Sequence, residues 1–220
     1  MRRSVALYHE IGAASGESLA RQQLGVVLTA KGALAEALDV LEEGVTVAER
    51  AVMRAHCQAR LFATMARNRL AADDLAAADE ALAWGLRTSR RHGNCATCDA
   101  LLLPVAARVR LAQGRVPEAE QFCTALNRAA LDYGSRTWIA MARQVQGRVA
   151  AAQGAHEDAL RAFRKAIRGF RQAGFIYEVA RCLRAKAQVL ADRGDQEDEA
   201  RAQRARREAQ QILAGLLGEF

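Results

Sequence analysis

Small and bulky apolar positions recur along this chain with a period of about forty residues. With Gly32, Asp73, Gly114, Gly154 and Gly194 taken as turn positions, the spacings are 41, 41, 40 and 40 residues. Seven residues before each turn stand Gly25, Ala66, Ala107, Gly147 and Ala187, all small. Five after the first four stand Ala37, Ala78, Ala119 and Ala159, and nine after stand Leu41, Leu82, Cys123 and Phe163. Small residues let two helix backbones approach closely, and the bulky one fills the gap between them. Each period therefore predicts a helix A, a tight turn and a helix B. Pro117 suits the first turn of a helix, where a missing N–H costs nothing. Gly93, Gly134 and Gly174 lie 20 residues after their turns, where helix B should end and glycine takes the left-handed cap.

A helix pair of this kind leaves an apolar face that only its neighbours can cover, so the expected fold is an all-α solenoid of stacked antiparallel helix pairs. Five repeats are expected, at 13–52, 53–93, 94–134, 135–174 and 175–215, with a tail at 216–220. Residues 1–12 align with the end of a helix B whose own helix A is missing, which predicts a chain that begins inside a repeat of a longer protein. The final segment "DQEDEARAQRARREAQQILAG" predicts a long charged helix suited to capping a stack, and hence a natural C-terminus.

The segments "LGVVLTAKGALAEALDVLEEGV" and "GRVAAAQGAHEDALRAFRKAI" resemble tetratricopeptide repeats, with a small residue in helix A, a glycine turn, then alanine and a bulky residue in helix B. The period is longer than the usual 34 residues of that family, and its aromatic and terminal proline positions are mostly absent. Longer repeats of this kind resemble those of large bacterial ATP-dependent transcriptional activators, including LuxR-type regulators. The resemblance implies a right-handed superhelical solenoid that binds a protein or peptide partner, an effector, or other domains of its parent chain on the concave face formed by the A helices.

Composition agrees with helices: two prolines, few aromatics and abundant alanine. No signal peptide or membrane span is visible, so a cytoplasmic protein with no membrane partner is expected. The five cysteines are an odd number in a chain without an export signal, which argues against a disulfide framework. The net charge of +7 is carried almost wholly by arginine, with lysine only at Lys31, Lys165 and Lys186. Two accounts fit it: an anionic partner, or a coding bias that enriches arginine and alanine together.

The chain has no P-loop, Rossmann fingerprint, HExxH or nucleophile elbow, and His9 and His156 stand isolated at a helix end and a turn. An enzyme is not expected. Direct nucleic-acid binding is not expected either, because no helix-turn-helix unit stands apart and aromatic residues do not interleave with basic ones.

Two candidate sites remain. In the A helices, Arg67, Arg108 and Arg148 share the column six residues before the turn, with Arg60, Gln144, Arg181 and Arg184 in neighbouring columns. Such a ladder can hold carboxylates or phosphates through forked hydrogen bonds, or it is a solvated face paired with local acids. The second site is "RRHGNCATCDALLLP", the corner between the second B helix and the third A helix. Asn94 or Thr97 would cap that helix, leaving Cys95 and Cys98 one turn apart near its N-terminus. Free thiols, a zinc site and a redox-sensitive pair all remain open, with no other cofactor expected. For zinc the candidate ligands are His92, Cys95, Cys98 and Cys57, the last because Cys57 and Cys98 both stand 16 residues before their turns, and His56 adjoins Cys57. Cys123 and Cys182 read as core residues. Pro104, inside the same helix A, predicts a kink. Self-assembly through exposed terminal repeats is a further possibility.

Overall fold

The computed structural model describes residues 1–93 and 95–218. Among them are eleven α-helices and no strand: α1 (Arg2–Glu10), α2 (Ala14–Lys31), α3 (Leu34–Ala48), α4 (Arg54–Ala71), α5 (Leu75–Arg91), α6 (Ala96–Ala112), α7 (Val116–Asp132), α8 (Arg136–Ala152), α9 (His156–Gln172), α10 (Ile176–Arg193) and α11 (Gln196–Gly218). Two compact units divide the chain, Met1–Gln113 and Gly114–Phe220. Within each, every helix packs on the next, and A helices also touch A helices: α2 on α4, α4 on α6, and α8 on α10. This is an all-α helical-repeat architecture.

The turns form where the periodicity places them. Gly32, Gly114, Gly154 and Gly194 all have positive φ, and Asp73 at φ 60° is the one non-glycine among the described residues that does. Asp tolerates the left-handed region better than most L-residues because its short side chain bonds locally. The glycines predicted to end B helices, Gly93, Gly134 and Gly174, are left-handed as well, and Pro117 sits in the first turn of α7.

Two interlocking contacts build the stack. Within a repeat, the glycine of helix A receives the bulky residue of helix B: a Cβ on Gly25 would fall 2.6 Å from Leu41, and one on Gly147 would fall 2.8 Å from the Phe163 ring. Between repeats of the first unit, a glycine of helix B receives a leucine of the next helix A, Gly44 with Leu61 and Gly85 with Leu102. Leu41, Leu61, Leu82, Leu102 and Phe163 are all fully buried, each worth roughly 1.5–3 kcal/mol of transfer free energy. The alanines five places after the turns, Ala37, Ala78, Ala119 and Ala159, are completely buried too.

Polar pairs set the register of α2 against α4. Gln22 Nε2 donates to Thr64 Oγ1 at 2.8 Å, and Asn68 Nδ2 donates to Thr29 Oγ1 and to the Leu34 carbonyl, both at 3.1 Å. All four side-chain partners are buried, where an unmet hydrogen bond would be costly. Helix α6 runs without interruption through Pro104. The proline has no N–H to give the Ala100 carbonyl, so one intrahelical bond is missing.

Glu17, 3 % exposed, anchors the start of α2. Burial by itself raises the pKa of its carboxyl group, but hydrogen bonds from Arg21 at 2.9 Å and His9 at 3.2 Å outweigh that and hold it below its ordinary 4.5. A carboxyl group lowered on folding stabilises the native state above its unfolded pKa and loses that contribution as pH falls through the folded one. Glu17→Gln should therefore flatten the acid limb of the stability profile below about pH 4.5, measured by urea unfolding at stepped pH. An unchanged acid limb would show that Glu17 carries no such linkage.

Candidate functional site

The corner that begins α6 gathers its chemistry from two helices of the first unit. Cys95 is the N-cap of α6, in extended backbone with φ −63° and ψ 109°, and its carbonyl accepts from the Cys98 and Asp99 N–H groups at 2.9 Å. That places Cys98 on the first turn, facing inward and 1 % exposed. Asn94, one of the two expected caps, lies outside the described residues. Thr97, the other, puts its hydroxyl 3.1 Å from Cys95 Sγ. From the opposite side comes His56, in the first turn of α4, its Nδ1 3.5 Å from Cys95 Sγ and 3.3 Å from Cys98 Sγ. Ser89 on α5 donates to Asp99 at 3.0 Å, tying the same turn of α6 to the neighbouring B helix.

The environment divides the two thiols. For Cys95, burial raises the pKa, but hydrogen bonds involving Thr97, Cys98 and His56 more than offset it, and the thiol falls to about 6. Cys98 is pushed up to about 12, first by burial and then by Cys95. Near neutral pH the pair thus shares one proton, with the negative charge on the N-cap sulfur, where unpaired helix N–H groups favour it.

Of the four metal candidates marked by sequence, Cys95 and Cys98 come together and the other two do not join them. Among the described residues, the donor atoms within 4.8 Å of one another are those of His56, Cys95 and Cys98. His92 is instead the exposed residue that ends α5. Cys57 is fully buried and directs its Sγ to the Ser15 carbonyl of α2 at 3.9 Å. Stacking by translation explains this: Cys57 faces the preceding A helix just as Cys98, its repeat equivalent, faces the His56 carbonyl at 4.0 Å. The sequence signal for His56 was its place next to Cys57, one column away from the candidate chosen.

The A-helix arginines are placed unit by unit. In the first, Arg60 and Arg67 on α4 and Arg108 on α6 are half-buried, and the Arg60 Nε has no hydrogen-bond partner. In the second, Arg148 on α8 lies near Arg181 on α10, and Arg184 is exposed. Arg181 donates to both oxygens of Glu178 at 2.8 Å, and Gln144 adds a bond to that carboxylate at 3.1 Å and one to Cys182 Sγ at 3.2 Å. The Arg148 Nε is buried without a partner. Burial, followed by the charge of Arg181, lowers Arg148 to about 10, so it remains cationic at neutral pH. Glu178, which organises this cluster, was not singled out by the sequence because the ladder was sought as a column of like residues.

Cys182 is fully buried as expected. Cys123 is only half-buried and lines a cleft of about 440 Å³ among α7, α8 and α9. A thiol is smaller than the leucine or phenylalanine of the equivalent positions and fills less of the space. No helix of the described residues is long and apolar enough to cross a membrane.

No sequence family and no curated protein matches the chain. Among solved structures it is similar to BtubC (BKLC) from P. vanneervenii, at 15% identity and a TM-score of 0.62, over 99% of this chain and 89% of that one. At this identity the likeness concerns the fold alone.

Proposed function

We propose that the chain is a non-enzymatic interaction module of the tetratricopeptide kind, with the longer period of the repeats in large bacterial ATP-dependent transcriptional regulators, and that it holds an acidic peptide segment on the A-helix face of its second unit. A helical-repeat fold suits protein interaction or scaffolding, since stacked helices present extended surfaces. The observation that carries the finer reading is the charge balance at Arg148. The charge of Arg181 acts unfavourably on Arg148, the nearby carboxylate of Glu178 is already engaged by Arg181 and Gln144, and the Arg148 Nε has no hydrogen bond. A carboxylate from a partner seated over this pair would offset the repulsion between the two arginines. The peptide could come from another protein or from a neighbouring domain of a longer chain.

The probe is a fluorescent polyglutamate peptide, compared with polyglutamine of equal length, in binding titrations at several salt concentrations. Arg148→Gln should weaken polyglutamate by roughly 10-fold or more, the scale of a lost charge-assisted hydrogen bond, and reduce the salt dependence. Arg168→Gln, at an exposed position on α9, a B helix, should change little. Equal binding of polyglutamate by the Arg148 variant would overturn the assignment.

A further inference from the structure

The His56, Cys95 and Cys98 cluster is independent of the acidic-peptide reading and belongs to the other unit. We propose that these three residues form a binding site for a thiophilic divalent cation, Zn2+, that fastens the N-terminus of α6 to α4.

Geometry is the first argument. Zinc bonds of about 2.3 Å to sulfur and 2.0–2.1 Å to nitrogen at a tetrahedral angle require nitrogen and sulfur ligands to stand about 3.6 Å apart. The two Nδ1 to Sγ distances are 3.5 and 3.3 Å, and all three donor atoms lie within 4.8 Å of one another. Both nitrogen–sulfur separations are close to the tetrahedral value, whereas an ordinary imidazole–thiol contact needs only one sulfur near the nitrogen.

The donor set is the second argument. Two thiolates and an imidazole suit zinc and exclude the hard cations calcium and magnesium, which take oxygen. Two thiolates neutralise the divalent charge, so a half-buried site needs no further counter-ion. Both thiols must lose their protons on binding. Three protein ligands leave a fourth position for solvent or an exogenous donor, as in open zinc sites.

The preceding junction in the same unit supplies an internal comparison. The positions of His56, Cys95 and Cys98, shifted back one repeat, are Ser15, Arg54 and Cys57. The helix packing is equivalent, and Cys57 makes the same thiol-to-carbonyl contact, but the imidazole and the second thiol are missing. At the preceding junction the cysteine of this column makes only a packing contact, and the other two ligands are particular to one junction.

The test uses untagged protein purified under reducing conditions. Metal content is measured by plasma mass spectrometry, and after chelation the protein is titrated with Zn2+ and with Co2+, whose thiolate charge-transfer and tetrahedral bands report the ligands directly. One ion per chain is expected, with tetrahedral cobalt bands and a higher unfolding midpoint in Zn2+. Cys95→Ser is the principal variant, because serine is a favoured N-cap and should preserve the fold. It should lose more than about 100-fold in Zn2+ affinity, beyond the 10–100-fold typical of losing an outer-shell partner. His56→Gln should do the same, with unchanged far-ultraviolet circular dichroism, and His92→Ala should bind as the parent does. The proposal is overturned by a chain that binds neither ion at one equivalent, by a His56 variant that binds Zn2+ as tightly as the parent, or by a Cys95–Cys98 disulfide forming in place of metal binding.

Discussion

Gly147→Leu should destabilise the second unit by roughly 3 kcal/mol, at the upper end of the range for overpacked cores. The reason is specific. Even the first added carbon would lie 2.8–2.9 Å from three carbons of the Phe163 ring, and that ring is 1 % exposed with little room to move. Phe163→Ala should cost about 3–5 kcal/mol from lost burial and the cavity left behind. In the double variant, the new leucine occupies the space vacated by the ring. Its loss should fall short of the sum of the single losses by more than 1 kcal/mol, a coupling typical of residues in contact. Urea unfolding followed by circular dichroism measures all three. Additive losses would show that the two residues do not share one packing space, and the account of the repeat lock would fail.

Glu178→Ala should destabilise by about 2–3 kcal/mol, somewhat below the 3–5 typical of breaking a fully buried ion pair, because Glu178 and Arg181 retain 17% and 15% side-chain exposure. Removing the carboxylate leaves the repulsion between Arg148 and Arg181 without the compensating charge of Glu178. Arg148→Met should by contrast be nearly neutral, since the replacement keeps the apolar stem and removes a buried Nε that lacks an acceptor. Combining the two should recover part of the Glu178→Ala loss. A destabilising Arg148→Met together with a harmless Glu178→Ala would reverse the proposed balance of charge. Because the same arginine is expected to hold the acidic peptide, a variant that is stable but does not bind would separate its recognition role from any structural one.

The two sites follow one rule of repeat stacking. Equivalent positions face equivalent neighbours, so a column of residues marks a row of junctions and not a single shared site. Cys57 and Cys98 occupy one column and meet different helices, α2 and α4 respectively. The arginine column behaves likewise. Arg148 has Arg181 and Glu178 for company, and those neighbours come from other columns of the adjacent helix.

The sequence by itself determined the helices and their turns. Left-handed turns need glycine or a tolerant residue, and close helix contacts need a small residue opposite a large one. Both requirements act over a few residues, so Gly32, Asp73 and the Gly25–Leu41 and Gly147–Phe163 pairs were legible from spacing alone. Tertiary structure decided which repeat-to-repeat neighbours meet. The offset between adjacent A helices depends on contacts such as Gly85 with Leu102, which join separate repeats and leave no local pattern. That offset brings His56, and not His92, to Cys95 and Cys98, and it sets Glu178 between Arg181 and Gln144. A few residues of sequence separation say little about distance across a helix corner, whereas a stack of helices within one unit brings residues some forty apart into contact.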